Sequence, residues 1–233
     1  MSWRTSRMAL AARNAGRRLG LNNVVAAVLG HGGYEARFDS AFSSAVHPGD
    51  CIWDVGANVG YYTKQFAAKT GIQGRVFAFE PSPVNFARLT SACAELSNVS
   101  PQRLALGREN GSLPFAQGAD ELGATSRILS GNSPSAVMVK VRSGESVVAD
   151  KLADRPNAIK IDVEGFELEV LQGLGELLAD KPLHTIGIEV HFGILQSRRM
   201  DDAPRAIEQL LKRHGFHVEW PDTSHILAMR QHA

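Results

Sequence analysis

The sequence predicts an α/β domain: a mostly parallel sheet with helices on both faces and an antiparallel hairpin at its C-terminal end. Three observations predict it. Apolar runs of strand length alternate with stretches of helical periodicity. A glycine turn, "GANVG" (56–60), directly follows the first run and opens a helix. Near the end, "FHVEW" and "HILAMR" flank the turn residues "PDTS", the signature of a hairpin.

In order along the chain, Arg4, Arg7, Arg13, Arg17 and Arg18 precede any acid, the first of which is Glu35. Residues 1–35 read as a helical segment docked on the domain, as an acceptor lid or a solvated helix. Alternatives are an amphipathic helix on anionic lipid or a transit-peptide mimic. The domain proper then occupies 36–233. "CIWDV" (51–55) is a buried strand, and Val59, Tyr62 and Phe66 follow at helical spacing. "RVFAF" (75–79) is a second strand, ending at Glu80. Ser82 and Pro83 start the next helix: the hydroxyl can cap free backbone N–H groups, and proline suits the first turn. A weaker third strand falls within 99–106, where Pro101 suits its beginning or a sheet edge.

Residues 107–136 are rich in Gly, Ser, Pro and Asn and read as a variable loop with one short strand near 113–115. "AVMVKVR" (136–142) is an additional strand. "AIKIDV" (158–163) is a core strand, followed by a helix buried along Phe166, Val170, Leu174 and Leu177. "TIGIEV" (185–190) is another core strand. Ala206, Ile207, Leu210 and Leu211 mark a last helix, which stops at Gly215.

Composition bounds the function. A formal net charge of +1 gives no global basic field, so nucleic acid is not expected as a partner. The two cysteines, Cys51 and Cys93, lie in apolar settings and read as reduced and structural. No apolar run approaches the roughly 20 residues that span a bilayer. A cytoplasmic protein is expected.

The turn after the first strand occupies the place where open α/β sheets bind ligands. Glu80 ends the next strand 24 residues after Gly56, where dinucleotide folds hold a ribose diol. A pyrophosphate, however, needs G-x-G-x-x-G. Here Asn58 replaces the middle glycine, Tyr61 stands at the third position, and Asp54 would repel phosphate. A ligand with an ammonium and a ribose but no phosphate suits these residues better, and S-adenosylmethionine is one. Asp54 can attract its amino group, the turn can approach its sugar, and Glu80 can accept from both ribose hydroxyls. The alternative is that Asp54 and Asn58 cap the following helix while Gly56 merely serves the turn.

"IKIDVEGFE" (159–167) places Lys160, Asp162 and Glu164 at alternate positions, on one face of an extended strand and its exit. "IGIEVHF" (186–192) likewise aligns Glu189 and His191. If the two strands are neighbours, three carboxylates and an imidazole converge beside the turn. His191, with an ordinary imidazole, would be the best-poised base for a hydroxyl acceptor. Asp162 could orient the acceptor or contact the methionine end, and Asp162, Glu164 and Glu189 could hold a Mg²⁺-like ion. For Glu164, a simple helix-start acid is the competing role.

With these motifs in hand, the sequence resembles the FkbM family of S-adenosylmethionine-dependent methyltransferases. The matching stretches are "DVGANVGYYT", "GRVFAFEPSPVNFARL", "NVSPQRLALGRENG", "IKIDVEGFELEVLQG" and "IEVH". The resemblance implies a class I, Rossmann-like three-layer sandwich with a seven-stranded sheet, and O-methylation of a small hydroxylated molecule such as a glycoside, a glycolipid or a polyketide-type natural product. It carries cofactor contacts onto Asp54, Gly56, Ala57, Asn58, Gly60, Glu80 and Pro81, with Ala105 and Leu106 at the adenine side. It carries active-site roles onto Asp162 and Glu164. The sequence departs from the family pattern at Gly144–Glu145, where a Leu-Asp pair is usual. A noncatalytic S-adenosylmethionine- or nucleotide-binding module is the alternative from another class.

Overall fold

Apolar residues on both faces of a strand demand cover on both sides, and here helices supply it. The computed structural model describes residues 36–116, 127–128 and 136–230. Seven strands form the main sheet: β1 (Cys51–Val55), β2 (Arg75–Phe79), β3 (Val99–Gln102), β8 (Ala158–Ile161), β9 (Thr185–Glu189), β10 (His217–Glu219) and β11 (His225–Met229). Their order is β10-β11-β9-β8-β1-β2-β3. The five strands from β9 to β3 run parallel, whereas β11 pairs antiparallel with both β9 and β10. The chain runs from β1 outward through β2 and β3, then returns to the other side of β1 for β8 and β9. The topological switch point therefore lies between β1 and β8.

Helices α1 (Ala36–Ala45), α2 (Tyr61–Thr70), α3 (Pro83–Ala92), α4 (Gly144–Ala149), α5 (Glu167–Leu174), α6 (Phe192–Ser197) and α7 (Ala203–Arg213) flank the sheet, with a 3₁₀ turn at Gly175–Ala179. Ser82 caps α3 as expected, its hydroxyl accepting from the Asn85 N–H at 3.3 Å. Ile159, Ile161, Ile186 and Ile188 from β8 and β9 are fully buried against Leu171 and Leu174 of α5 and Ile207 of α7. Each such side chain contributes roughly 1.5–3 kcal/mol of burial. On the opposite face Phe38 and Phe42 of α1 pack with Ile52, Phe66 and Val76.

A second, smaller sheet is the main departure from expectation. Its order is β4-β7-β5-β6, from β4 (Ala105–Leu106), β5 (Gly111–Ala116), β6 (Arg127–Ile128) and β7 (Ala136–Arg142). The strand expected over 99–106 divides: β3 stays at the edge of the main sheet, where Pro101 costs no ladder bond, and β4 crosses to the small one. The short strand expected near 113–115 extends over all of β5, paired antiparallel with β7 along its length. The strand expected over 158–163 ends at Ile161, so Asp162 and Val163 lie in the exit turn. Three helices, α1, α4 and α6, were not expected. The small sheet leans on the main one through Ala105, Phe115, Val139 and Val141, which bury Phe166.

The helical segment expected over 1–35, with its arginines, lies outside the described residues, as do 117–126 and 129–135 within the expected variable loop. Among the described residues, no helix is long and apolar enough to cross a membrane.

Candidate functional site

The glycine turn forms because β1 must pass close to the exit of its neighbour β8. Gly56 has φ +85°, and a Cβ there would lie 1.9 Å from the Asp162 carbonyl oxygen. Only glycine accepts both conditions. The N–H groups of Gly56 and Ala57 both donate to the Phe79 carbonyl at 3.0 Å, which ties the turn to the end of β2. Gly60 is also left-handed, with φ +88°, and packs its Cα against Leu89 of α3. Asn58 adopts φ 50°, one of the few left-handed non-glycine residues.

Glu80 closes the turn. One carboxylate oxygen accepts from the Asn58 N–H at 2.9 Å and the other from the Ser82 N–H at 2.8 Å, across the intervening Pro81. Burial raises its pKa to about 7, against the pull of those two N–H groups. Asp54 is buried at the end of β1, where Oδ2 accepts from the Thr63 hydroxyl at 2.6 Å. Its Oδ1, like Asn58 Oδ1, is buried with no hydrogen-bond partner among the described residues. Burial also raises the Asp54 pKa, while Lys160 and the Thr63 hydroxyl lower it. Two unpartnered buried acceptors thus flank the glycine turn, buried acceptors call for donors, and an ammonium and ribose hydroxyls fit that requirement.

Ala105 and Leu106 stand in β4 and are buried, Leu106 in the main core and Ala105 under the small sheet. They offer a ligand backbone and apolar atoms. Gln102, which no sequence motif singled out, donates from its side-chain amide to the Ser100 hydroxyl at 3.1 Å. It ends β3 beside Phe79, and its carbonyl accepts from the Glu80 N–H at 3.0 Å.

The strands carrying the second constellation are neighbours, since β8 pairs with β9. Lys160 is buried, donates to Asp162 at 3.1 Å and lies over the Tyr62 ring at 4.4 Å. Burial alone would lower its pKa, but Asp162, Asp54 and Glu189 hold it above the ordinary value. Asp162 is held down at about 2: burial opposes ionisation, yet Lys160 and His191 together overcome it.

His191 is buried at the centre of the cluster. Its Nδ1 meets Glu167 Oε1 at 2.6 Å, and its Nε2 lies 3.5 Å from Glu164, 3.6 Å from Asp162 and 3.7 Å from Glu189. Burial would favour a neutral ring, but Glu164, Glu189 and Glu167 carry its pKa well above the ordinary imidazole value. These carboxylates favour the protonated ring, which weighs against the general-base role expected of His191 and toward one in holding the acidic side chains together. Beyond it, Glu189 Oε2 lies 3.8 Å from His225 Nε2, whose Nδ1 is 2.9 Å from Asp222.

The exit turn of β8 is held under backbone strain. Glu164 has φ 50° and Gly165 φ +93°, a cost of about 1–3 kcal/mol at the glutamate. Arg198 compensates, donating to the Gly165 carbonyl, bonding Glu169 at 2.6 Å and stacking 3.8 Å over the Phe166 ring. Ligand atoms of Asp162, Glu189 and His191 all lie within 4.8 Å of one another, so the oxygen set expected for a cation, which included Glu164, is here centred on His191 instead.

Glu167, His225 and Asp222 were not anticipated. Glu167 was legible: it lies three and seven residues before Val170 and Leu174 and four before Leu171, all buried, and an acid on that line needs a partner. His225 and Asp222 join through the antiparallel pairing of β11 with β9, which no local pattern encodes.

Comparisons with known proteins identify the family and the fold. Residues 54–218 match the model of the methyltransferase FkbM domain. The hexuronic acid methyltransferase AglP of Haloferax volcanii is 32% identical over 146 residues, covering 62% of this chain and 57% of that protein. The 31-O-demethyl-FK506 methyltransferase FkbM of Streptomyces tacrolimicus is 30% identical over 204 residues, covering 74% of this chain and 75% of that one. The chain thus spans little more than half the length of the archaeal relative. Aeropyrum pernix fibrillarin, solved with natively bound S-adenosyl-L-methionine, superposes with a TM-score of 0.50 at 14% identity over 79% of this chain and 67% of its own, a likeness of fold. From the glycine turn to the acidic exit of β9, this chain belongs to the FkbM methyltransferase family, built on the class I S-adenosylmethionine-dependent methyltransferase fold.

Proposed function

We propose that this protein transfers a methyl group from S-adenosylmethionine to a hydroxyl oxygen of a small molecule, with a sugar of a glycoside or glycolipid, or a polyketide-type product, as the favoured acceptor. The observation that carries the reading is the buried, unpartnered Asp54 Oδ1 one strand away from Glu80, at the carboxyl ends of β1 and β2. The names of two relatives, one acting on hexuronic acid and one on 31-O-demethyl-FK506, support hydroxylated acceptors.

S-adenosylmethionine supplies, when bound, an electrophilic methyl on a sulfonium centre. In this reading Asp54 receives the ammonium, Glu80 the ribose hydroxyls, and the Gly56–Asn58 backbone approaches the sugar, with Pro81, Gln102, Ala105 and Leu106 toward the adenine. Asp162, Glu164 and Glu189 face the acceptor. Asp162, held near 2, is a weak proton acceptor; Glu164 and Glu189 are better placed to take the hydroxyl proton. His191 keeps its proton and gathers these carboxylates around itself. In a second reading, suggested by the close approach of Asp162 and Glu189, a Mg²⁺-like ion would be held by the oxygens of Asp162, Glu164 and Glu189 and would supply charge to orient the acceptor oxygen. Residues 36–233 would form the transferase domain, with 1–35 and the 107–136 region selecting the acceptor.

The test is calorimetric titration of S-adenosylhomocysteine, followed by turnover on a panel of hydroxylated acceptors with and without Mg²⁺. The expected outcome is saturable binding that Asp54→Asn and Glu80→Gln each weaken by about tenfold or more, and O-methyl product. No binding to folded protein would remove the reading. Binding without turnover on any acceptor would favour the noncatalytic module.

A further inference from the structure

At the opposite end of the sheet from the glycine turn, a second group of metal-ligand side chains converges that the methyl-transfer reading does not use. His47 and Asp50 belong to the tight "HPGD" turn between α1 and β1, and His184 stands just before β9. Asp50 Oδ2 lies 3.6 Å from His47 Nδ1 and 3.3 Å from His184 Nε2. All three residues offer ligand atoms within 4.8 Å of one another.

We propose that His47, Asp50 and His184 form a transition-metal site of the Zn²⁺ class, tying the α1–β1 turn to the start of β9. The argument is independent of the proposed activity and rests on geometry and donor chemistry. Ligands about 2.0–2.2 Å from a tetrahedral ion are separated by roughly 3.3–3.5 Å. The two distances to Asp50 bracket that range, as a near-formed site requires. Two imidazoles and one carboxylate suit Zn²⁺, Co²⁺ or Ni²⁺ and disfavour Mg²⁺, which prefers all-oxygen shells.

The surrounding contacts orient the donors. The His47 N–H donates to Asp50 Oδ2 at 2.7 Å, and Gly49 takes φ +89° to let the turn close. These fix the carboxylate. His184 Nδ1 meets the Thr185 hydroxyl at 2.9 Å, and its Nε2 faces Asp50. An outer partner on the far ring nitrogen is the usual companion of a metal-bound histidine. His184 and Asp50 are mostly buried, with side chains 14% and 12% exposed, whereas His47 is 56% exposed. The site therefore has two buried ligands and one exposed ligand, the exposed side leaving a path for the ion. The two rings stand 5.2 Å apart, edge to face, close enough to share one ion.

The experiment uses the full chain, freed of any affinity tag and dialysed against chelator. Zn²⁺ is titrated by calorimetry and Co²⁺ by visible absorbance. The expected result is one equivalent bound, an intense Co²⁺ band of a four- or five-coordinate site, and affinity reduced more than about tenfold by His47→Asn and by His184→Gln. Circular dichroism confirms that each variant is folded, and His47→Asn, at an exposed position, keeps the test valid if His184→Gln unfolds. Absence of saturable Zn²⁺ binding overturns the proposal. So does binding that His47→Asn leaves intact but His191→Gln abolishes, since the ion would then sit in the acidic cluster.

Discussion

Glu80 sits between two demands, holding backbone N–H groups with both oxygens and offering charge to a ligand from a buried position. Its pKa of about 7 stands above the ordinary carboxylate value, so in the free protein its contribution to folding is fully present below about pH 4.3 and is lost as the pH rises through 7. Ligand binding has the opposite sign. Hydroxyl donors select the ionised form, so S-adenosylhomocysteine affinity should rise by up to about tenfold per pH unit below 7 and level off above it. Calorimetry across that range checks the slope, and Glu80→Gln should flatten it. His191 gives the second prediction at this scale. Its pKa is raised well above the usual 6.5, so its stabilisation is complete below that value and is lost as the pH climbs through the folded-state value. Removing the charge with His191→Gln leaves Glu167 buried against no cation, at a cost of about 3–5 kcal/mol near neutrality. Urea denaturation over a pH series should show this loss, together with a shallower alkaline decline than in the parent. Asp54, Gly56 and Glu80 were legible in the sequence because each breaks a local rule: an acid in an apolar strand, a glycine at a strand exit, an acid closing the next strand. The charge state of His191 was not legible, because it depends on four carboxylates from three separate elements.

Among the elements, the strands that build the site announced themselves by apolar runs bounded by turn residues, and their parallel neighbours followed from alternation. The split of residues 99–106 between two sheets was hidden. "VSPQRLAL" carries no marker of the point at which the backbone turns, where the Leu104 N–H folds back to the Gln102 carbonyl at 2.9 Å. Helix α1 shows what a single residue can demand of an element. Gly187 of β9 lies beneath it, and a Cβ there would come 2.6 Å from a Phe42 ring carbon and 2.7 Å from Phe38. Both rings are buried and stacked at a centroid distance of 5.8 Å, with Phe42 also against Phe66, so neither can yield cheaply. Gly187→Val should therefore lift α1 from the sheet and cost about 1–3 kcal/mol of stability. Faster amide exchange confined to 36–45, with the core of β8 and β1 still protected, would identify the mechanism; an unchanged melting temperature would refute it.

For the molecule as a whole, the cluster of carboxylates contrasts with a chain of net charge +1. The negative potential is therefore local, concentrated by the carboxyl ends of β1, β2, β8 and β9, where it favours cationic ligands. The order of the sheet has one more consequence. Strand β11 is synthesised after every other described strand, yet it lies inside the sheet, between β9 and β10, and brings His225 and Asp222 to the acidic cluster. On the ribosome, the nascent domain must therefore wait with the hydrophobic edge of β9 unzipped until this final segment has cleared the exit tunnel. A polypeptide cut short before Ser224 is expected to expose the β9 edge as a target for proteolysis and to lack the His225–Asp222 side of the acidic cluster.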